Sequence, residues 1–360
     1  MPGLHALALL GGGVAVLAAL TVAHYAFWTW RLHVPPREDE LLRVVTGDGW
    51  ELALGRCRPR GPPRRLPVLL VHGIAMNRQS FVFGLERYGL APFLAAAGFD
   101  CYALDLRGHG DSRSRPGPGS PRRWDLDTYL RQDLPAALER IRELTGTRQV
   151  LYVGHSQGAL LGLAGAGLYP DRIAGVVALA APVHFDLQPQ LRRLTRLRYP
   201  FRGRFRLLSR MVAPLSGYWH PALADLAVNL RNVEPRVYRR FLANGIEDIP
   251  PGVLAQFELF FHEDSFRSVA GDVDYRAALE QCRQPALFVA AERDGVAPPA
   301  VVQAGHRRWG GPKRYVVFER DYAHTDLLFG RRAPEVVYPV VRDFLVDVEE
   351  GTGRLVSPGP

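Results

Sequence analysis

Short apolar runs alternate with helical patterns along most of this chain, and this alternation constrains the fold more than any other feature. The runs are rich in Val, Ile, Leu and Phe, as in strands that are buried on both faces. They lie at 67–73, 99–105, 149–155, 173–181, 285–291 and 314–319. Helical patterns lie between them at 88–97, 126–144, 157–168, 299–308 and 334–348. Strands that alternate with helices predict an α/β fold, with a mostly parallel central sheet flanked by helices.

The two ends of this pattern and one interval within it predict further parts of the fold. The segment 41–57 has two strand-like halves around Gly47-Asp48-Gly49, which predicts an antiparallel hairpin. Residues 185–271 have no strand-like run and are too long for a loop, so they are predicted to form an inserted helical cap. The core then comprises residues 34–184 and 272–348, and residues 349–360 are predicted to be a disordered tail.

The first 33 residues are predicted to be a membrane anchor. From Leu4 to Trp30 there is no Lys, Arg, Asp or Glu, and about 20 apolar residues suffice to cross a bilayer as a helix. Aromatic residues gather at the end of this stretch, as at a membrane interface. A cleaved signal peptide is the alternative, but no basic residue precedes the apolar part and no small-x-small site follows it.

The residues after the anchor predict its orientation and its connection to the rest of the chain. Arg31, Arg37 and Arg43 follow the predicted span, so the positive-inside rule places the catalytic domain in the cytoplasm. The segment Pro35–Glu40 has the composition of a short, stiff linker.

Composition excludes some classes of function. The formal net charge is +9, but the basic residues are spread along the chain and no nucleic-acid-binding motif accompanies them, so no nucleic-acid partner is predicted. The three cysteines fit neither a disulfide framework nor a zinc spacing. The histidines, among them His72, His109, His155 and His184, show no metal-ligand spacing, so neither a metal nor another cofactor is predicted.

One serine lies between two glycines where a strand-like run meets a helical pattern. The sequence Gly154-His155-Ser156-Gln157-Gly158 matches G-x-S-x-G in the strand–turn–helix context that this motif requires. A sharp turn there exposes the serine hydroxyl, and side chains at the glycine positions would crowd the turn. The motif therefore predicts Ser156 as a nucleophile.

A serine nucleophile needs a base, an acid that orients the base, and donors for the oxyanion. Asp294 and His324 each follow a predicted strand, in the chain order Ser, Asp, His that this architecture requires. The backbone N–H groups of Ile74 and Gln157 are the predicted oxyanion donors. Asp186 follows another strand and is an alternative acid.

Four motifs in order give the chain a resemblance to the α/β-hydrolase superfamily over residues 42–347. They are VLLVHG, ALDLRGHGDS, VGHSQG and AERDGVAPP, and the stretches GHSQG and YAHTDLLFG are similar to those of the acid lipase and esterase branch. The resemblance implies the same residues that the motifs predict: Ser156 as nucleophile, Asp294 as acid, His324 as base, and Ile74 and Gln157 as oxyanion donors. Asp326, two positions after the histidine, also matches that branch.

Residues 191–210 of the cap carry eight arginines and no acidic residue, with leucines at helical spacing. They form either a helix that rests on anionic lipid or a solvated face of a cap helix packed on the core, and the sequence favours neither.

We therefore predict a membrane-anchored serine hydrolase of carboxylic esters, with a small ester or lipid as substrate. An acyltransferase or thioesterase with the same triad is the enzymatic alternative. A catalytically silent lipid-binding or scaffold protein is the alternative of another class. The sequence predicts no oligomeric state.

Overall fold

The computed structural model describes residues 2–85, 87–114, 123–185 and 204–351, and these contain one nine-stranded sheet. The strands are β1 (Glu40–Val45), β2 (Trp50–Cys57), β3 (Val68–Val71), β4 (Cys101–Asp105), β5 (Arg113–Ser114), β6 (Val150–His155), β7 (Ile173–Leu179), β8 (Ala286–Ala291) and β9 (Lys313–Phe318). Their order is β1-β2-β4-β3-β6-β7-β8-β9, and β5 pairs with β2. The pairs from β4 to β9 are parallel, whereas β2 pairs antiparallel with its neighbours. The predicted α/β fold and the hairpin that precedes it are confirmed.

Helices cover the sheet and extend beyond it. They are α1 (Pro2–Arg31), α2 (Gln79–Val82), α3 (Leu90–Ala96), α4 (Leu126–Thr128), α5 (Leu134–Thr145), α6 (Gln157–Leu168), α7 (Phe205–Val212), α8 (Pro235–Asn244), α9 (Pro251–Glu263), α10 (Tyr275–Ala278), α11 (Pro299–Arg308), α12 (Asp326–Phe329) and α13 (Ala333–Glu350). A π-helical turn, Tyr129–Asp133, joins α4 to α5. All side chains of β3, β4, β6 and β8 are buried, as expected of strands with helices on both faces.

Between β7 and β8, the regular elements in the described residues 204–271 are helical. They are α7, α8, α9 and two short 3-10 helices, Ala213–Leu215 and Ala222–Leu226. Residues 186–203 lie outside the described part of the chain, so the predicted start of the cap at 185 stays a prediction. Asp186, the alternative acid, lies in that segment, as do five of the eight arginines of residues 191–210.

The last turns of α1 pack against the cap. Leu32, Ala213 and Ala243 form a small buried cluster, with Trp28 and Leu242 at its edge. Hydrogen bonds reinforce this contact: Asn244 Nδ2 donates to the Leu32 carbonyl at 2.9 Å, Arg210 Nη1 donates to the Tyr25 hydroxyl at 3.0 Å, and Val34 N–H donates to Asn244 Oδ1 at 3.2 Å. The end of α1 and the cap therefore form a continuous packed unit.

The segment Pro35–Glu40 does not behave as the predicted linker. Glu38 accepts two hydrogen bonds at 2.9 Å from the buried guanidinium of Arg78, and Arg37 N–H donates to the Val82 carbonyl at 2.6 Å. Proline and charge suggested an exposed spacer, but the charge pairs with a cation 40 residues further on. The predicted tail also starts too early, because α13 continues to Glu350; residues 352–360 lie outside the described part.

A fully buried arginine ties the hairpin to α5. Arg107 is 0% exposed and donates from Nε to Asp133 Oδ1 at 2.7 Å. Its Nη1 and Nη2 groups donate to the carboxylate of Asp48, in the turn between β1 and β2, at 2.6 and 2.9 Å. Buried charges of this kind persist only when they are paired and hydrogen-bonded.

Candidate active site

Ser156 lies on a strained turn between β6 and α6. Its φ and ψ are 54° and −117°, a conformation that costs a non-glycine residue about 1–3 kcal/mol. Its N–H donates to the Leu179 carbonyl at the end of β7, at 2.8 Å, which helps to hold the turn. A Cβ at Gly154 would overlap the backbone of Gly158, and a Cβ at Gly158 would overlap the carbonyls of β3 and its following residue. Both glycines are therefore required for α6 to approach the sheet this closely.

The predicted acid and base are joined directly. His324 Nδ1 donates to Asp294 Oδ2 at 2.8 Å, and both side chains are buried. The other carboxylate oxygen, Oδ1, accepts the N–H groups of Val296 and Ala297 at 2.8 and 2.7 Å. Because Nδ1 carries the shared proton, His324 Nε2 is the ring atom left to accept another.

The parallel sheet brings these residues together, since β3, β6, β8 and β9 end at the same edge. His155, next to the serine, donates from Nε2 to the His324 carbonyl at 3.0 Å, and the two rings lie 4.6 Å apart. Ser156 and His324 are therefore neighbours, although no hydrogen bond joins the Ser156 hydroxyl to the His324 ring within the described residues. Such catalytic bonds are often long before substrate binds.

His155 itself is a packing residue. Burial lowers the pKa of His155 to about 3, so the ring is neutral at neutral pH. Its Nε2 is occupied by the His324 carbonyl. The side chain thus holds the loop that carries the base.

Two backbone N–H groups are available for an oxyanion. Those of Ile74 and Gln157 have no hydrogen-bond partner in the part of the chain that the structure describes. Gly73 lies against the serine, because a Cβ at this position would be 3.3 Å from the Ser156 Cβ. Gln157 begins α6, where the first N–H groups of a helix are unpaired and carry partial positive charge.

The loop after β3 is held from both sides. His72 donates from Nδ1 to the Gly73 carbonyl at 2.8 Å and accepts the Leu106 N–H at Nε2. Burial lowers the pKa of His72 to about 4, which keeps the ring in this neutral form. On the cap side, Glu247 N–H donates to the Ala75 carbonyl at 2.8 Å. The position of the Ile74 N–H is thereby fixed.

Asp326 lies close to the acid and the base, and its surroundings were not predictable from the motifs. It is 0% exposed, and burial raises the pKa of Asp326 to about 7, with hydrogen bonds from Asn229 N–H and Asn232 Nδ2 opposing this rise. The sequence signal was only its place two residues after the histidine. Among the described residues, no group of three or more His, Cys, Asp or Glu side chains is placed to hold a metal ion.

Comparison with protein-family models gives a match to the alpha/beta hydrolase fold over residues 67–330. Curated relatives include human Lipase member K, 30% identical over 214 residues, which are 56% of this chain and 52% of the relative. Human gastric triacylglycerol lipase is 34% identical over 155 residues, 39% of each chain. This chain thus spans about half the length, or less, of these curated relatives.

Solved structures give the same fold over a greater length. A thermophilic esterase from Thermogutta terrifontis has a TM-score of 0.57 at 22% identity, covering 86% of this chain and 99% of its own. A membrane phospholipase A has a TM-score of 0.56 at 18% identity, covering 96% and 97%. With the family model spanning most of the sheet and the candidate site, this chain belongs to the α/β-hydrolase fold family, and the predicted resemblance is confirmed.

Proposed function

We propose that this chain is a serine hydrolase that cleaves carboxylic esters with apolar acyl groups. The observation that carries the proposal is a serine in a strained turn, beside two free backbone donors and a paired histidine and aspartate. This combination provides a nucleophile, a base, an acid and an oxyanion site. The similarity to lipases supports an ester substrate.

The reaction has two steps, acylation of Ser156 and hydrolysis of the acyl-enzyme. Ser156 Oγ attacks the ester carbonyl carbon while its proton passes to His324 Nε2, and the Ile74 and Gln157 N–H groups bind the oxyanion. The carbon–oxygen bond to the alcohol then breaks, and the alcohol leaves with the proton from Nε2, giving an acyl-enzyme. Water repeats the sequence: it loses a proton to Nε2, attacks the acyl carbon, and releases the acid as Ser156 recovers its proton. Asp294 stabilises the imidazolium in both steps.

Water is one possible acceptor, and the same site supports an acyltransferase or thioesterase as the alternative. These reactions share the acyl-enzyme and differ only in the acceptor or the leaving group. A silent binding protein is less well supported, because the histidine and aspartate keep the geometry that catalysis requires.

A membrane location is part of the proposal. Within the described residues, one helical segment, Gly12–Arg31, is long and apolar enough to cross a membrane, and no residue of this segment is fully buried in the protein. A signal sequence near the amino terminus meets the same criteria. The packing of Trp28 and Leu32 against the cap supports an anchor, because removal of α1 would expose that buried cluster.

The cap supplies a second apolar surface beside the anchor. The exposed large hydrophobic side chains of the described chain comprise seven in α1, seven in residues 205–223 and three elsewhere. The seven in residues 205–223, which we call the cap patch, are Phe205, Leu207, Leu208, Leu215, Tyr218, Trp219 and Leu223. Patches of this kind next to a spanning helix favour contact with lipid. We propose that the cap patch rests on the bilayer surface, with the catalytic domain on the cytoplasmic side.

The described arginines of residues 191–210 contribute less to such a surface than their number suggested. Arg210 donates to the Ala243 carbonyl and to Tyr25, and Arg206 lies 3.5 Å from Glu247. Two of the three described arginines therefore bind partners within the protein, so the apolar side chains carry most of the proposed contact.

The decisive experiment measures hydrolysis of chromogenic esters of graded acyl length by the full chain in detergent micelles. The full chain is needed because α1 packs against the cap. Ser156→Ala is expected to abolish turnover and the burst that reports the acyl-enzyme. Ser80→Ala is the matched control, because Ser80 is also buried, its hydroxyl has no partner, and it lies outside the site.

Labelling with a fluorophosphonate separates the remaining possibilities. Labelling at Ser156 with ester turnover supports the hydrolase. Labelling without turnover of any ester favours the acyltransferase or thioesterase. If the chain neither turns over an ester nor reacts with the probe, the proposed function is wrong.

A further inference from the structure

A short segment of the cap is hydrogen-bonded to both loops that carry the acid and the base. We call this segment, residues 226–232, the strap. The Leu226 carbonyl accepts the Gly295 N–H at 2.9 Å, and Gly295 is adjacent to Asp294. The Ala227 carbonyl accepts both the N–H and the hydroxyl of Thr325, which follows His324, at 2.8 and 2.9 Å.

The second half of the strap is bonded to Asp326. Asn229 N–H donates to Asp326 Oδ1 at 3.2 Å, and Asn232 Nδ2 donates to Oδ2 at 3.1 Å. Asn229 Nδ2 also donates to the Asp321 carbonyl at 2.8 Å, on the loop between β9 and the histidine. Both oxygens of the buried carboxyl group are therefore used to hold the cap.

The contact is close as well as polar. A Cβ at Gly295 would lie 2.8 Å from Leu226 Cδ2 and 3.0 Å from Leu226 Cα, nearer than side chains normally approach. A Cβ at Gly330, where α12 ends, would lie 3.0 Å from Asn232 Nδ2. Because positions 295 and 330 are glycines, the strap can lie directly on the two loops.

We infer that the strap positions the triad: it fixes the Asp294 loop and the His324 loop relative to each other, with Asn232 and Asp326 as positioning residues. The Asp294 and His324 loops follow different strands, β8 and β9, and the strap is bonded to both of them. A single peptide that binds the residue after each of them couples their positions. This inference rests on the proposed function, since it concerns the geometry of the same site.

The test compares two full-length variants that each remove a side-chain amide bonded between the cap and the core. Asn232→Ala removes the bond to Asp326. Gln256→Ala is the matched control: Gln256 Nε2 donates to Asp127 Oδ1 at 2.8 Å, and its Oε1 accepts the Leu126 N–H at 2.8 Å, in a region away from the triad. Both variants lose cap-to-core hydrogen bonds, so both are expected to be less stable than the wild type.

Only Asn232→Ala is expected to affect the chemistry. Its kcat for a short soluble ester falls about 10- to 100-fold, because small displacements of catalytic groups have effects of this size. The KM is expected to change little, because the bond that is lost joins two side chains of the protein, and the rate of fluorophosphonate labelling falls in parallel with kcat. Gln256→Ala keeps the wild-type kcat and labelling rate.

Each result has a definite meaning. Equal kcat values for the two variants overturn the inference. If the wild-type chain neither hydrolyses an ester nor reacts with the fluorophosphonate, the proposed function is refuted instead. If Asn232→Ala fails to fold, Asn229→Ala is the second variant, because it removes the side-chain bonds to Asp321 and the bond that Asn229 Oδ1 accepts from the Arg231 N–H, and leaves the backbone bond to Asp326. A kcat reduced below that of Gln256→Ala supports the inference, and an unchanged kcat overturns it.

Discussion

Replacing Gly158 with alanine tests whether close approach of α6 to the sheet is what positions the nucleophile. An added Cβ at this position would lie 2.6 Å from the Val71 carbonyl carbon and 2.7 Å from the His72 carbonyl oxygen, with the Val71 oxygen nearer still. Ordinary contacts of a Cβ begin at about 3.4 Å. Because the obstacles are backbone atoms of a central strand and of the residue after it, the helix itself has to move.

The expected magnitudes follow from that displacement. Overpacking of this kind costs about 1–3 kcal/mol of unfolding free energy, of which the higher helix propensity of alanine offsets at most about 1 kcal/mol. Relief of the contact requires α6 to retreat by roughly 1 Å, which carries Ser156 and the Gln157 N–H with it and lowers kcat/KM about 100-fold.

Gly167→Ala provides the control within the same helix. A Cβ there would lie 3.7 Å from the Ala278 Cβ and 3.8 Å from the Cys282 Sγ, both ordinary contacts. We expect this variant to gain up to about 1 kcal/mol in stability and to keep full activity. Urea unfolding and ester hydrolysis of both variants measure these effects. If Gly158→Ala is as stable and as active as Gly167→Ala, the account of the elbow is wrong.

Three further predictions concern the buried ion pair, the buried acid and the cap patch. Arg107→Met is expected to lower the unfolding free energy by about 3–5 kcal/mol, measured by urea unfolding, because it leaves Asp133 buried without its cation. Arg148→Met removes an exposed ion pair and should lower it by less than about 1 kcal/mol. Equal losses in the two variants would contradict the argument. Burial raises the pKa of Asp326 to about 7, so the folded state holds that proton more tightly than the unfolded chain and the wild type loses stability as pH rises from about 4 through about 7. Asp326→Asn should not show this loss. If the difference in unfolding free energy between the wild type and Asp326→Asn does not change with pH across that range, the raised pKa of Asp326 is refuted. Changing Trp219 to serine should slow hydrolysis of a long-chain ester in vesicles up to about tenfold and leave a short soluble ester unaffected, since the indole is exposed in the cap patch that we propose contacts lipid. Equal slowing of both would count against lipid contact.

The elements that were predictable from sequence are those whose signals are local. The bounds of α6 and α11 agree with the predicted 157–168 and 299–308, because a glycine-flanked turn precedes one helix and prolines the other. The expected pairing of His324 with Asp294 depended on chain order and on two strand ends, which are also local features.

The parts that could not be predicted depend on distant partners. The strap contributes backbone carbonyls at positions 226 and 227, which any residue type would supply, and they bind groups about 70 to 100 residues away. The segment Pro35–Glu40 resembled a linker because Arg78, the cation that pairs with Glu38, lies three strands further along the chain. The two-residue strand β5 exists only through its pairing with β2 and has no periodicity to detect.

Under the proposed function, the strap also limits where this chain can be recombined with others of its family. Residues 205–223 contribute the cap patch and none of the hydrogen bonds that reach Gly295, Thr325 or Asp326. A chimaera that exchanges only this part, with crossovers before residue 205 and after residue 223, alters the surface that meets substrate or lipid and keeps the acid and base in register. A crossover between residues 226 and 247 instead separates the strap from its partners or the Gly245–Glu247 segment from the Ile74 loop. The proposed lipid contact and the proposed alignment of the acid and base thus lie in separable stretches of the cap.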